Sequence, residues 1–400
     1  MSAGPDFDHV DALTNGPVRG RGSNLNPGNR FEDVRLHVLG EHLDEQLRDH
    51  PSGVQVRTQV FTDDTQSVVN KVESPDIPFN WSLNPYRGCE HGCIYCYARP
   101  GHEYLALSSG LDFETKIIAK PRAPELLRQF IAQPAWNGEP IVLSGVTDPY
   151  QPVERELRIT RRCLEVCAGA RQPISLITKN HLITRDLDVL GEMASWRGVR
   201  VAVSLTTLDA ALAAKMEPRA SVPRERLAAI RELVAAGVPV AVMTAPIIPA
   251  INDRELPALL EAAAEAGAQS AGMVLLKLPH QIKALFLEWL QRHFPDRAAH
   301  VESLIRQCRG GELYDAAFFN RQRGTGPLAA TIRDTFSMFA KRHDLTRRLP
   351  ALNSAAFVRP GQLALGAAGV KGAGRVGGRW ARTANGRGAG SAAEGPGLFR

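Results

Sequence analysis

Apolar residues in the middle of this chain fall into two alternating kinds of run. Five stretches are apolar nearly throughout: PIVLSGV (140–146), PISLIT (173–178), VRVAVSL (199–205), VPVAVMT (238–244) and SAGMVLLKL (270–278). Between them, apolar positions recur at helical spacing, as in APELLRQFIAQ, LRITRRCLEVCAGA, RDLDVLGEMASW, PRERLAAIRELVAAG and DRELPALLEAAAEAG. A strand that is apolar on both sides is covered on both faces, and the amphipathic helix after it supplies the cover. With FNWSLN (79–84) as an earlier short strand, the pattern predicts six such units, either a (β/α)6 partial barrel or a doubly wound sheet. Both architectures collect ligands at the carboxyl ends of their strands, so the residues just after each run carry the most information. Three further helical patterns come after the last strand: PHQIKALFLEWLQRHF, DRAAHVESLIRQC and PLAATIRDTFSMFAKRH.

The two ends lack this periodicity. Residues 1–55 are polar and read as a largely disordered extension, with one short amphipathic patch near VRLHVLGEHLDEQL. Residues 56–345 form the expected core with its final helices, and 346–400 a mostly disordered tail, of Gly/Ala/Arg low complexity from Gly361. Charge is divided in the same way. Of the formal net charge of +6, residues 361–400 contribute five: Lys371, Arg375, Arg379, Arg382, Arg387 and Arg400 stand against Glu394 alone. The basic balance therefore reports a tail, and nucleic acid is only weakly supported as a partner. The uncharged run Val234–Ile251 approaches spanning length, but Pro239, Pro246 and Pro249 interrupt it, so it reads as a buried strand and loop and no membrane is expected. The opening MSAGPDFDHVDAL has neither the basic start nor the apolar run of a secretory signal, and a cytoplasmic location is expected.

Six cysteines are too few and too uneven for a disulfide scaffold. Cys163 and Cys167 share a helical face with Ile159 and Val166 and read as core filler, as does Cys308. The other three, in NPYRGCEHGCIYCYARP, are different. Cys89, Cys93 and Cys96 lie within eight residues on a loop, with no fourth cysteine near. Structural zinc takes four ligands at shorter, paired spacings. A cubane iron–sulfur cluster held by three thiolates keeps one iron open for a small molecule, and fits the count better. Zinc and simple loop packing remain the other readings.

The spacing Cys89-x3-Cys93-x2-Cys96, with Tyr95 before the last cysteine and a strand before the loop, resembles the signature of the radical S-adenosylmethionine (SAM) superfamily. GVTDPYQPVE, LITKNHLITRD and TAPIIPAIND bring the likeness closest to its spore-photolyase-like branch, over about residues 75–345. The resemblance implies a partial (β/α)6 barrel in which the three cysteines hold a [4Fe–4S] cluster whose open iron chelates SAM. It implies a radical enzyme of unknown substrate, supplied by a ferredoxin or flavodoxin. A photoproduct-lyase-like action on DNA, and a non-catalytic metal-binding or redox-sensing module, are the alternatives.

Cofactor contacts carry over by position. Tyr95 and Tyr97 would meet the adenosyl part, the Thr147 hydroxyl and Asp148 would lie at the second strand end, Lys179 would pair with the cofactor carboxylate, and Ser204 and the backbone at Ala245 would complete the set. No catalytic residue is assigned. Two departures stand out. The Gly-Gly-Glu cofactor motif is not evident, and the second strand end lacks the cysteine with which lyases of that branch quench the product radical, leaving the Tyr150 hydroxyl as a candidate hydrogen donor. The block RGGELYDAAFFNRQRGTGP (309–327) reads as a surface loop, or as one that closes the barrel mouth or binds an anionic substrate.

Overall fold

Each apolar run predicted as a strand is one. The computed structural model describes residues 18–31 and 55–361. The expected N-terminal helix and the Gly/Ala/Arg tail lie outside these residues. Among the described residues, ten strands are formed: β1 (Gln59–Thr62), β2 (Val69–Lys71), β3 (Trp81–Leu83), β4 (Tyr86–Arg87), β5 (Lys116–Ala119), β6 (Ile141–Leu143), β7 (Ile174–Thr178), β8 (Val199–Ser204), β9 (Val240–Ile247) and β10 (Ser270–Leu275). Eight principal helices accompany them: α1 (Ala123–Ile131), α2 (Ile159–Gly169), α3 (Leu187–Ser195), α4 (Pro223–Ala235), α5 (Leu256–Glu265), α6 (Ile282–His293), α7 (Ala298–Gln307) and α8 (Gly326–Arg342).

The main sheet runs β2-β3-β6-β7-β8-β9-β10, with β2–β3 antiparallel and every other pair parallel. From β3 to β10 the spatial order matches the chain order, with no reversal. A doubly wound sheet must reverse its order at a switch point. The monotonic order therefore decides for the partial barrel of six parallel strands. Its strands are buried on both faces: Ile141, Leu143, Ile174, Leu176, Ala202 and Val240 have essentially no exposed surface. That double burial explains the absence of polar alternation in the sequence.

A smaller sheet, β1-β5-β4, lies beside the main one and holds the stem of the cysteine loop. After β10 the chain crosses the open side of the barrel. Arg321 forms a two-pronged pair with Asp76, Nε to Oδ2 at 2.7 Å and Nη2 to Oδ1 at 2.5 Å, linking the 309–327 block to the turn before β3. The buried Arg309 donates to the Leu276 carbonyl at 2.6 Å. The block thus packs across the gap between the first and last strands, as the barrel-closing reading expected.

Parts of both extensions, residues 18–31 and 346–361, are among the described residues and pack on the core. In the N-terminal one, Val18 and Leu25 are buried, and Arg21 donates to the Glu114 carbonyl at 2.7 Å. Beyond residue 345, Val358 donates to the Ala170 carbonyl at 2.8 Å and Arg359 to the Trp136 carbonyl at 2.9 Å. Such segments are held by isolated anchors and polar contacts rather than by a repeating apolar face, so their sequences carry no period. Among the described residues, no helix is long and apolar enough to cross a membrane.

Candidate functional site

The cysteine loop is braced from every side. Cys89 N donates to the Phe113 carbonyl at 2.9 Å, Ile94 N to the Met216 carbonyl at 3.1 Å, and Arg219 N to the His91 carbonyl at 3.2 Å. Glu90 N donates to Gln151 Oε1 at 2.9 Å. Arg99, fully buried, folds back under the loop. Its Nε and Nη2 reach the Cys93 carbonyl at 3.0 and 2.9 Å, and its Nη2 pairs with Glu114 at 2.5 Å. The same carboxylate accepts from Gly22 N and Ser23 N at 2.9 Å each, so the N-terminal strap and the loop share one anion. A Cβ on Gly22 would stand 1.8 Å from the Gly92 carbonyl oxygen, an approach that only glycine permits.

Cys89 and Cys93 are buried and Cys96 is half-buried, and all six cysteines of the chain are free thiols. Burial pushes all three loop thiols up; at Cys89 the nearby charges of Asp148, Cys93 and Cys96 push further. Three buried thiols that repel one another as thiolates suit a centre that binds them deprotonated. Among the described residues, no three His, Cys, Asp or Glu side chains close on a point as a mononuclear site requires. A cubane asks only that its cysteines surround it, each on a separate iron. The donor set and its burial fit such a cluster.

Above the loop, strand ends wall a cavity of about 880 Å³, its mouth included. Cys89, Cys93 and Cys96 line it, and so do Tyr95, Tyr97, Thr147, Asp148, Lys179, Ser204 and Ala245. The sequence-predicted site residues are therefore brought together, although individual roles shift. Asp148 is engaged within the protein: its oxygens accept from Thr178 Oγ1 at 2.7 Å, Lys179 N at 2.8 Å and Tyr150 N at 2.9 Å, and His91 Nδ1 stands 3.3 Å away. It ties two strand ends to the cysteine loop, which makes it a brace. The Thr147 hydroxyl donates to the Tyr86 carbonyl at 3.2 Å.

Lys179 points into the cavity with Nζ 3.2 Å from Glu217 Oε1 and 3.5 Å from the Ala245 carbonyl. Burial pulls its ammonium down to about 8, against the attraction of Cys93. Glu217 also binds the Tyr95 hydroxyl, the Arg226 guanidinium and, at 2.8 Å, the Thr206 hydroxyl. The Tyr97 hydroxyl donates to the Gly145 carbonyl. Tyr150 does not line the cavity. It is fully buried and its hydroxyl donates to Asp186 at 3.1 Å, so it is no hydrogen donor to a radical there. Cys163, Cys167 and Cys308 are core residues, as read from the sequence.

Sequence reading missed His91, Glu217, Arg226 and Lys277. Lys277 was findable, because it stands just past β10, the sixth parallel strand, much as Lys179 stands just past β7, the third. It lines the cavity, its Nζ 4.6 Å from the Tyr97 ring centre and 3.2 Å from Gln322 Oε1, and burial pulls it down to about 7. Glu217, at the end of a short helix, has no sequence signal.

Comparison with known proteins agrees with this geometry. The profile described as Radical SAM superfamily matches residues 83–263. An uncharacterized protein of Mycobacterium tuberculosis (strain H37Rv) is 36% identical over 245 residues, covering 60% of this chain and 72% of the relative. An uncharacterized protein of Methanocaldococcus jannaschii is 27% identical over 173 residues, 43% of this chain and 62% of that one. Among solved structures, a variant of spore photoproduct lyase aligns with a TM-score of 0.53 at 15% identity, over 79% of this chain and 86% of the lyase. The lyase complexed with dinucleoside spore photoproduct aligns with a TM-score of 0.52 at 15% identity, over 78% and 83% of the two chains. At that identity the likeness is one of fold.

Proposed function

The chain belongs to the radical SAM superfamily, and on that premise we propose that Cys89, Cys93 and Cys96 hold a [4Fe–4S] cluster used to cleave SAM reductively beside a substrate in the strand-end cavity. Proteins of this superfamily bind such a cluster and SAM, and the chain is an enzyme of that type. The observation that carries the residue assignment is the convergence of three cysteine thiols and Lys179 on one cavity at the carboxyl ends of the parallel strands. When bound, the cluster and SAM supply a 5′-deoxyadenosyl radical and methionine. The protein binds, orients and excludes water. Lys179 meets the cofactor carboxylate, Tyr95 and Tyr97 shape the adenosyl wall, and Ser204 and the Ala245 backbone bound the far side. A reductant is required, and a small ferredoxin or flavodoxin fills that role. Few and unevenly spread cysteines support a reducing, cytoplasmic setting.

Repair of a DNA photoproduct is the rival use of the same chemistry. The second strand end, Ser144 to Tyr150, has no thiol to quench a product radical, and Tyr150 is turned into the core. The deciding experiment is anaerobic purification and then treatment with dithionite and SAM, with and without a dinucleotide spore photoproduct. A brown protein that forms 5′-deoxyadenosine without clean thymine recovery is the expected result. A colourless protein inert toward SAM would overturn the reading, and stoichiometric thymine would make DNA repair the function.

A further inference from the structure

A second, wider cavity adjoins the cysteine cavity across Gly145 and Val146, which line both. It encloses about 1740 Å³, mouth included. Three cations face it, and two are neutralised locally: Lys71 pairs with Glu73 at 3.1 Å, and Arg87 with Asp63 at 3.0 Å. The third, Lys120, is only 6% exposed. Its backbone is engaged, N to the Pro85 carbonyl at 3.0 Å and carbonyl to Ala123 N at 2.9 Å. Among the described residues, no acceptor lies within bonding distance of its ammonium; Asp63 attracts it only from beyond contact, and Arg87 repels it. On the same wall, His102 Nε2 is buried without a hydrogen-bond partner among the described residues. Its stem is buried while its ammonium meets the cavity without a contacting anion, and an apolar side chain of its length would fill the same space without the cost of a poorly solvated charge.

We propose that Lys120 anchors the substrate: the second cavity takes a molecule with one anionic group, phosphate or carboxylate, whose remainder passes Gly145 and Val146 to reach the cysteine cavity. The charge count fixes the single anion, because the other two cations are already paired. The exposed faces of Tyr104 and Val146 offer apolar contact to the organic part. Burial, with Arg87 beside it, pulls Lys120 down to about 8, as expected of an ammonium short of negative charge. The direction of the reacting end rests on the proposed function; the anion site itself does not.

The test uses the full chain carrying its cluster, kept anaerobic without reductant so that no chemistry runs. Thermal midpoints are measured against inorganic phosphate and, separately, acetate, at ionic strength held constant with chloride. A ligand of the folded state raises the midpoint saturably. The wild type is expected to respond to one of the two, which separates a phosphate ester from a carboxylic acid. Lys120→Arg keeps the response, and Lys120→Met weakens the apparent affinity at least ~tenfold, the scale of one charged hydrogen bond. Without anion, Lys120→Met should melt above the wild type, since it removes an uncompensated charge, whereas a structural lysine would melt lower when lost. An undiminished response in Lys120→Met, or no saturable response of the wild type to either anion, overturns the site. SAM cleavage with dithionite is measured in parallel; cleavage intact with no anion response refutes the anchor and leaves the proposed function standing.

Discussion

Lys179 and Glu217 meet at 3.2 Å under the cysteine cavity, one just after β7 and the other just after a short helix beyond β8. Arg226 holds the far oxygen of Glu217 and Tyr95 the near one, so the ammonium is fixed at the wall before any ligand arrives. A carboxylate entering the cavity can share it without reorganising the wall. Lys179→Ala should weaken SAM binding by ~1.5–3 kcal/mol, the range for hydrogen bonds to charged groups, with iron content unchanged. Anaerobic calorimetry measures this; unaltered affinity would return Lys179 to a purely internal ion pair.

Iron analysis separates the two sets of cysteines. Cys89→Ala, Cys93→Ala and Cys96→Ala should each fail to reach four irons per chain. Cys163→Ala and Cys167→Ala should load fully, losing about 1 kcal/mol of stability each from small voids in the core. Full loading of the Cys96 variant would remove it from the ligand set.

Glu114→Ala strands Arg99 in the interior with no counter-charge. Breaking a buried pair from one side costs about 3–5 kcal/mol. Here it should also free the Cys93 carbonyl and the strap at Gly22, so a lower denaturation midpoint should be accompanied by faster loss of iron to a chelator. A lower midpoint with undiminished iron retention would show that the loop does not depend on this anion.

His102 gives a pH dependence whose sign is set by its burial. Desolvation lowers it to about 4, against an ordinary 6.5, with Asp112 and Lys116 as its charged neighbours. Between these values the unfolded chain binds more protons than the folded one, so stability present above about pH 6.5 is lost as pH falls toward about 4, at ~1.4 kcal/mol per unit. His102→Phe should flatten that slope in denaturation midpoints measured at pH 7, 6 and 5. Parallel curves for the two proteins would mean that His102 is solvated or hydrogen-bonded when charged.

Much of this was legible because parallel barrel strands announce themselves. Runs such as PISLIT and VRVAVSL are apolar on both faces, and the barrel rule directs attention to their carboxyl ends, where the family resemblance placed Lys179 and Ser204. The same rule, applied to LLKLP, would have given Lys277. Glu217 and His91 were not legible, because their importance lies in contacts between residues far apart in the chain, which leave no local period. Asp148 was legible in place but not in role: TDPY marks the turn, while the donors that occupy its carboxylate come from β7 and the cysteine loop. The strap at residues 18–31 was hidden because its anchors, such as Arg21 and Gly22 on Glu114, Asn26 on Asp112 and Asn29 on Glu103, are single contacts to residues far along the chain.

That strap sets the size of the smallest piece of this chain able to work. The β/α repeat invites a boundary near residue 56, where the periodic pattern begins. A protein cut there would keep every strand and every cysteine. It would nonetheless lose the backbone donors of Gly22 and Ser23 and open the floor of the loop at Gly92 to water. The braced unit is therefore longer than the repeat that defines the fold, and a fragment chosen by periodicity alone would deliver a barrel whose cysteine loop has lost its backing.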